Sequence, residues 1–191
     1  MRAFLAIPVP EEAAPVLQDV QAALEVGRAV PPDNWHVTLA FLGDRPGDDL
    51  TRLHERLSEV AAPGFDMRIA GIDIFGGRAP RLLFAGVDRS EPLVALRGKL
   101  RAAVRATGID LPRERFRPHV TLARFRRRMT MLETQRIAGV LEGWGDLDAG
   151  VVPVESFALY RSHLSQDGAV YEPLAEYPLG QRPDNARPAG A

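Results

Sequence analysis

The sequence predicts an α+β fold of two similar lobes, each an antiparallel sheet with helices on its outer face, set against one another across a groove. Three observations predict it. Segments of period two alternate with segments of helical period, so that strand, helix, strand, helix is read twice along the chain. One pentapeptide, His36-Val37-Thr38-Leu39-Ala40, returns unchanged 83 residues later as His119-Val120-Thr121-Leu122-Ala123, as duplicated units do. The length of 191 residues, 46% hydrophobic and 26% charged, suits one domain or two small lobes sharing an interface, with enough apolar side chains for a core.

Met1 to Ile7 reads as a strand, with Leu5 and Ile7 on one parity and Arg2 and Phe4 on the other; Pro8 and Pro10 end it. From Glu11 to Val26, Val16, Leu17, Val20 and Leu24 recur at helical spacing, and Gly27 stands where a C-cap would. Pro31-Pro32-Asp33-Asn34 is a turn before a second strand, Trp35 to Leu42, closed by Gly43-Asp44. Asp48 or Asp49 is expected to cap a second helix with the stripe Leu50, Leu53, Leu57 and Val60. Strands at Phe65 to Phe75 and Arg81 to Val87 follow, joined by Gly76-Gly77-Arg78-Ala79-Pro80. The pattern then restarts: Ser90 caps a helix carrying Leu93, Leu96, Leu100 and Val104, and Arg117 to Phe125 is a strand. A helix from Thr130 to Leu141 and strands Val154 to His163 and Val170 to Leu179, joined by Ser165-Gln166-Asp167-Gly168, complete the plan. Residues 1–179 are thus read as one bilobal domain. Residues 180–191, with Pro183, Pro188 and no large apolar side chain, are read as a frayed, disordered tail.

The formal charge of −1 excludes a global electrostatic pull on nucleic acid, so any anion site must be local. With no cysteine there is no disulfide framework, no thiolate nucleophile and no cysteine zinc site. The apolar run from Ala3 to Val9 is interrupted by Pro8 and lacks a secretory cleavage signal, and no stretch approaches the ~20 apolar residues of a membrane span. The expectation is a soluble, cytoplasmic protein without membrane contact.

Strand alternation decides what the pentapeptide offers. His36 and Thr38 share one face and Val37 and Leu39 the other, and the same holds for His119 and Thr121. If the Val/Leu faces pack on the helices, both His-Thr pairs line the groove. Two imidazoles of intrinsic pKa ~6.5 can be held in opposite protonation states at neutral pH. The neutral one takes a proton from an attacking water while the protonated one gives a proton to a departing oxygen, in line across a phosphorus centre. The threonine hydroxyls can hydrogen-bond the non-bridging oxygens. Such chemistry requires neither metal nor cofactor, and the four histidines lack the close spacing of zinc ligands. His54, beside the Leu50/Leu57 stripe, reads as a boundary residue, and His163 as surface.

The two copies resemble the His-x-Thr-x motifs of the 2H phosphoesterase superfamily. The strand Met1-Arg2-Ala3-Phe4-Leu5-Ala6-Ile7 and the context Arg117-Pro118-His119-Val120-Thr121-Leu122-Ala123-Arg124 are similar to bacterial and archaeal RNA 2′,3′-cyclic phosphodiesterases, also called 2′-5′ RNA ligases, over residues 1 to about 179. The resemblance implies metal-independent opening of RNA 2′,3′-cyclic ends to a 2′-phosphomonoester, with ligation as the reverse. It implies His36 as proton donor and His119 as proton acceptor, Thr38 and Thr121 binding phosphate, Arg124 near it, and Phe4 stacking on a base. RNA with a cyclic phosphate end is the implied partner of a monomer. One detail resists strict geometry: Arg124, five positions after His119, falls on the opposite face unless the strand bulges or ends there.

Arg113, Arg115, Arg117, Arg124, Arg126, Arg127 and Arg128 flank the second motif with only Glu114 among them. They read either as solvated surface, since 23 of the 24 basic residues are arginine, or as contacts to a phosphate backbone. Trp35 reads as a packing residue. Two other functions stay open: action on small cyclic nucleotides or 2′-5′ oligonucleotides, and RNA binding without catalysis.

Overall fold

Strands form where alternation predicts them and also at Arg28–Ala29 and Asp148–Val154, which it does not predict. They are β1 (Arg2–Pro8), β2 (Arg28–Ala29), β3 (His36–Asp44), β4 (Phe65–Phe75), β5 (Leu82–Val87), β6 (His119–Arg124), β7 (Asp148–Val154), β8 (Ser156–Ser165) and β9 (Gly168–Pro178). The helices are α1 (Ala14–Leu24), α2 (Gly47–Ser58), α3 (Glu91–Ala106) and α4 (Met131–Trp144). The computed structural model describes residues 1–77, 79–165 and 168–182.

The sheet runs in the order β7-β4-β5-β6-β3-β1-β8-β9, every neighbour antiparallel. The two pentapeptides meet at its centre, where β3 and β6 share one pair, Val37 with Val120. Further along, β6 pairs with β2 instead. Reading outward from this seam gives β3-β1-β8-β9 on one side and β6-β5-β4-β7 on the other, which is the predicted pair of lobes related by a pseudo-two-fold. On the back of the sheet α1 packs on α4 and α2 on α3. Leu17, Val20, Leu53, Leu57, Leu93 and Leu100 are buried there against Val37, Leu39, Val120 and Leu122. Burying these side chains contributes about 1.5–3 kcal/mol each, an upper bound for an extended unfolded chain, and fixes the face on which the histidines must stand.

Several elements differ from expectation for local reasons. The N-cap of α2 is Pro46, so Asp48 and Asp49 lie in the first turn, where they oppose the helix dipole without capping. Ser90 occupies the N-cap of α3, but its hydroxyl is buried without a partner. Thr130 caps α4 in full, its Oγ1 accepting from the Glu133 amide while the Glu133 carboxylate accepts from the Thr130 amide. The unpredicted β7 carries Gly150 and Pro153, breakers that an edge strand tolerates. Residues 180–182 are held, Gly180 exchanging backbone hydrogen bonds with Ala62 and Gly64, and Arg182 pairing with Asp66. The rest of the predicted tail, 183–191, lies outside the described residues, as do Arg78 and the turn residues Gln166 and Asp167. Among the described residues no helix is long and apolar enough to cross a membrane.

Candidate active site

Both motif strands carry the same irregularity. In β3 the register slips so that Ala40 pairs with Leu5 and Thr38 with Ala6, leaving Leu39 as an extra residue. In β6 Ala123 pairs with Leu83 and Thr121 with Phe84, leaving Leu122 extra. These are matching β-bulges, and they resolve the parity of Arg124. Its partner Leu82 is two positions from Phe84, the partner of Thr121, so Arg124 shares a face with Thr121 and His119. The helices hold the bulges reciprocally. Gln21 of α1 donates to the Leu122 carbonyl at 2.7 Å, and Arg97 of α3 donates through Nε to the Leu39 carbonyl at 3.0 Å. These donors help satisfy the carbonyls at the bulges, the Leu122 carbonyl accepting also from the Val30 amide at 2.8 Å.

The histidines are held alike. Nδ1 of His36 lies 2.7 Å from the Asn34 carbonyl, and Nδ1 of His119 lies 2.8 Å from the Arg117 carbonyl, in each case two residues back. A carbonyl only accepts, so Nδ1 carries the proton and Nε2 is left to face the groove. The Asn34 side chain in turn donates to the Ala169 carbonyl at 3.2 Å, tying the turn before His36 to β9. Aromatic rings close around both imidazoles. His36 meets Phe4 at 4.9 Å and the edge of Tyr171 at 5.0 Å, and His119 meets Phe75 at 4.9 Å and Phe84 at 5.3 Å.

This apolar setting sets the electrostatics. Removal from water is the largest cause that pushes His36 down to about 4; Arg124 and His119 add to it, and the Asn34 carbonyl opposes it. His119 is lowered too, first by removal from water and then by Arg117 and Arg124, against its hydrogen bond to the Arg117 carbonyl. Arg124 therefore acts on both imidazoles, although among the described residues its guanidinium hydrogen-bonds only the Tyr171 hydroxyl, at 3.4 Å. Thr38 and Thr121 are half-buried on the same face as the histidines, and among the described residues neither hydroxyl has a hydrogen-bond partner.

The other sequence candidates fall as follows. Phe4 stands on the groove side, opposite Tyr160 and Phe41, but is 3% exposed beneath Tyr160, stacked at 5.2 Å, and Tyr171, edge-on at 5.1 Å. Phe41, 59% exposed, lies beside Phe4 at 6.2 Å. Trp35 is buried in the core. His54, exposed on α2, bonds the Tyr177 hydroxyl at 2.9 Å, and His163 is exposed on β8. The arginine cluster divides. Arg115 and Arg117 line a cavity of about 960 Å³ beside Phe75 and Phe84, where Arg117 stacks on both rings and pairs with Asp73 at 2.5 Å. Arg113, Arg127 and Arg128 are exposed, and Arg126 pairs with Glu133 at 2.7 Å. Tyr160, Tyr171, Phe75 and Phe84 escaped sequence reasoning, since only strand register brings them to the imidazoles.

Comparison with known proteins places this geometry. Residues 9–166 match the model of the 2′-5′ RNA ligase superfamily. An RNA 2′,3′-cyclic phosphodiesterase of Thermus thermophilus is 36% identical over 197 residues, covering 94% of this chain and 90% of that protein. A Geobacillus stearothermophilus protein of the same description is 31% identical over 188 residues, and there the chain spans 58% of the relative's length. The crystal structure of E. coli LigT complexed with 3′-AMP superposes with a TM-score of 0.76 at 26% identity, covering 94% of this chain and 98% of that one. With the match extending through both histidine motifs and most of the sheet, the chain belongs to the 2′-5′ RNA ligase superfamily.

Proposed function

We propose that the protein hydrolyses the 2′,3′-cyclic phosphate at an RNA end to a 2′-phosphomonoester. The observation that carries the reading is the matched pair of imidazoles, each with Nδ1–H committed to a backbone carbonyl and Nε2 free on the groove face. In the proposed step His119 Nε2 takes a proton from a water whose oxygen bonds to phosphorus. The bond from phosphorus to the ribose 3′-oxygen breaks, and that oxygen takes the proton of His36 Nε2. The Thr38 and Thr121 hydroxyls and the Arg124 guanidinium hold the non-bridging oxygens as charge builds on them. With a 5′-hydroxyl in place of water, the same step forms a 2′-5′ linkage.

The free groove leaves both imidazoles neutral at pH 7, while the step requires one of them charged. A bound phosphodiester anion offsets Arg124 and attracts a proton, so the donor is charged in the complex. A low pKa in the free protein also makes the His36 imidazolium a strong acid once formed. Binding alone has no use for two oriented imidazoles, which weighs against a non-catalytic RNA-binding protein.

The pH dependence of kcat/KM on cyclic-ended RNA tests the reading, because that parameter reports the free protein. Both pKa values lie below the ordinary 6.5, and the singly protonated pair is populated between them. A bell with its maximum on the acid side of 6.5 is expected in chelator, with 2′-phosphate as product. A maximum above neutrality, or a 3′-phosphate product, would remove the mechanism. Comparing cyclic mononucleotides in the same assay separates RNA ends from small nucleotides as the substrate.

A further inference from the structure

We propose that Arg28 and Arg124 together hold a second phosphate, the 5′-phosphate of the nucleotide whose cyclic phosphate reacts. The protein then selects a polynucleotide end over a cyclic nucleoside phosphate. The inference rests on the cyclic phosphodiesterase reading and names its substrate more closely. Arg28 on β2 pairs directly with Arg124 on β6, so both side chains leave the sheet on the groove face, with Cβ atoms about 4.5–5.5 Å apart. Like charges directly opposed across strands are destabilising, and an anion between them reverses the sign.

The surroundings leave that charge unanswered. Both arginines line a cavity of about 310 Å³ with Val26, Gly27, Phe125 and Met129. Among the described residues neither guanidinium meets a carboxylate. The acid lining the cavity, Glu133, is spent on Arg126 and Thr130, which hold its carboxyl down to about 2. Counting Arg28, Arg124 and Arg126 against Glu133, the cavity carries a net charge of about +2. The approach of β2 is built in. Gly27 has φ +80°, and a Cβ there would stand 2.6 Å from the Phe125 ring, so only glycine brings Arg28 to this register. Val30 donates to the Leu122 carbonyl at 2.8 Å, pinning β2 beside the bulge that orients Arg124. Arg124 thus reaches both the reacting centre and, with Arg28, the next phosphate outward.

The test compares R28Q with the unmodified protein, using a nucleoside 2′-phosphate and a nucleoside 2′,5′-bisphosphate in calorimetric binding. The corresponding 2′,3′-cyclic phosphates, with and without 5′-phosphate, serve in turnover. The unmodified protein is expected to prefer the 5′-phosphorylated ligand about tenfold or more, and R28Q to lose about tenfold of that preference. The preference should shrink with added salt. An equal preference in both proteins, or none in the unmodified one, overturns the proposal even if cyclic ends are opened. If cyclic ends are not opened yet the bisphosphate preference depends on Arg28, the second-phosphate site stands and the catalytic reading fails.

Discussion

His36→Ala and His119→Ala are each expected to lower kcat on cyclic-ended RNA by about 10² or more, the lower end of what a general acid or base supplies. In the proposed mechanism each removes one of the two proton-transfer groups, and neither of the other two histidines is placed to replace it. His54 is engaged with Tyr177 on the far helix α2, and His163 sits on β8, exposed. The fold should survive both changes. Each imidazole is half-buried and among the described residues bonds only a carbonyl of its own strand approach, so truncation leaves that carbonyl to water and breaks no sheet pairing. The measurement is single-turnover hydrolysis, with circular dichroism confirming the fold. Wild-type rates in either folded variant would end the two-histidine account. The double variant should lose far less than the product of the two single losses, because residues that act as a unit are not additive.

Thr38→Val and Thr121→Val should follow in size, each lowering kcat by about 10², the cost of removing one donor aimed at developing charge. Valine keeps the shape and strand preference of threonine, so the loss isolates the hydroxyl. The hydroxyls are free to turn toward a ligand, since among the described residues nothing engages them. An effect confined to KM would mean that they bind ground state and transition state equally.

Much of this was legible in the sequence. The repeated pentapeptide showed the pseudo-two-fold, and alternation of His36 and Thr38 against Val37 and Leu39 placed the two imidazoles on one face. The burial of β3 and β6, identical over their first six positions, follows that pattern. The odd offset of Arg124 pointed to a bulge without locating it, because a bulge depends on which partner residues pair and which helix satisfies the freed carbonyl. Gln21 and Arg97, which do this for Leu122 and Leu39, stand 101 and 58 residues away. The aromatic walls were hidden for the same reason. Tyr160 and Tyr171 reach Phe4 and His36 through the register of β8 on β1 and of β9 on β8, and Phe75 reaches Phe84 through that of β4 on β5. Phe4 was placed on the correct face, but its burial beneath the tyrosines depends on strands more than 150 residues later.

The division of labour between the two imidazoles is the central claim, and leaving-group chemistry tests it most directly. In a 3′-deoxynucleoside 2′-(4-nitrophenyl) phosphodiester, nitrophenolate departs from the place of the ribose 3′-oxygen and needs no proton to do so. A variant lacking the acid should therefore recover on this substrate, while a variant lacking the base should not. The rate of His36→Ala relative to wild type is expected to rise by at least tenfold over its value on cyclic-ended RNA, with His119→Ala remaining as impaired as before. Recovery of His119→Ala instead, or equal behaviour of the two variants, would contradict the assignment of His36 as proton donor and His119 as proton acceptor.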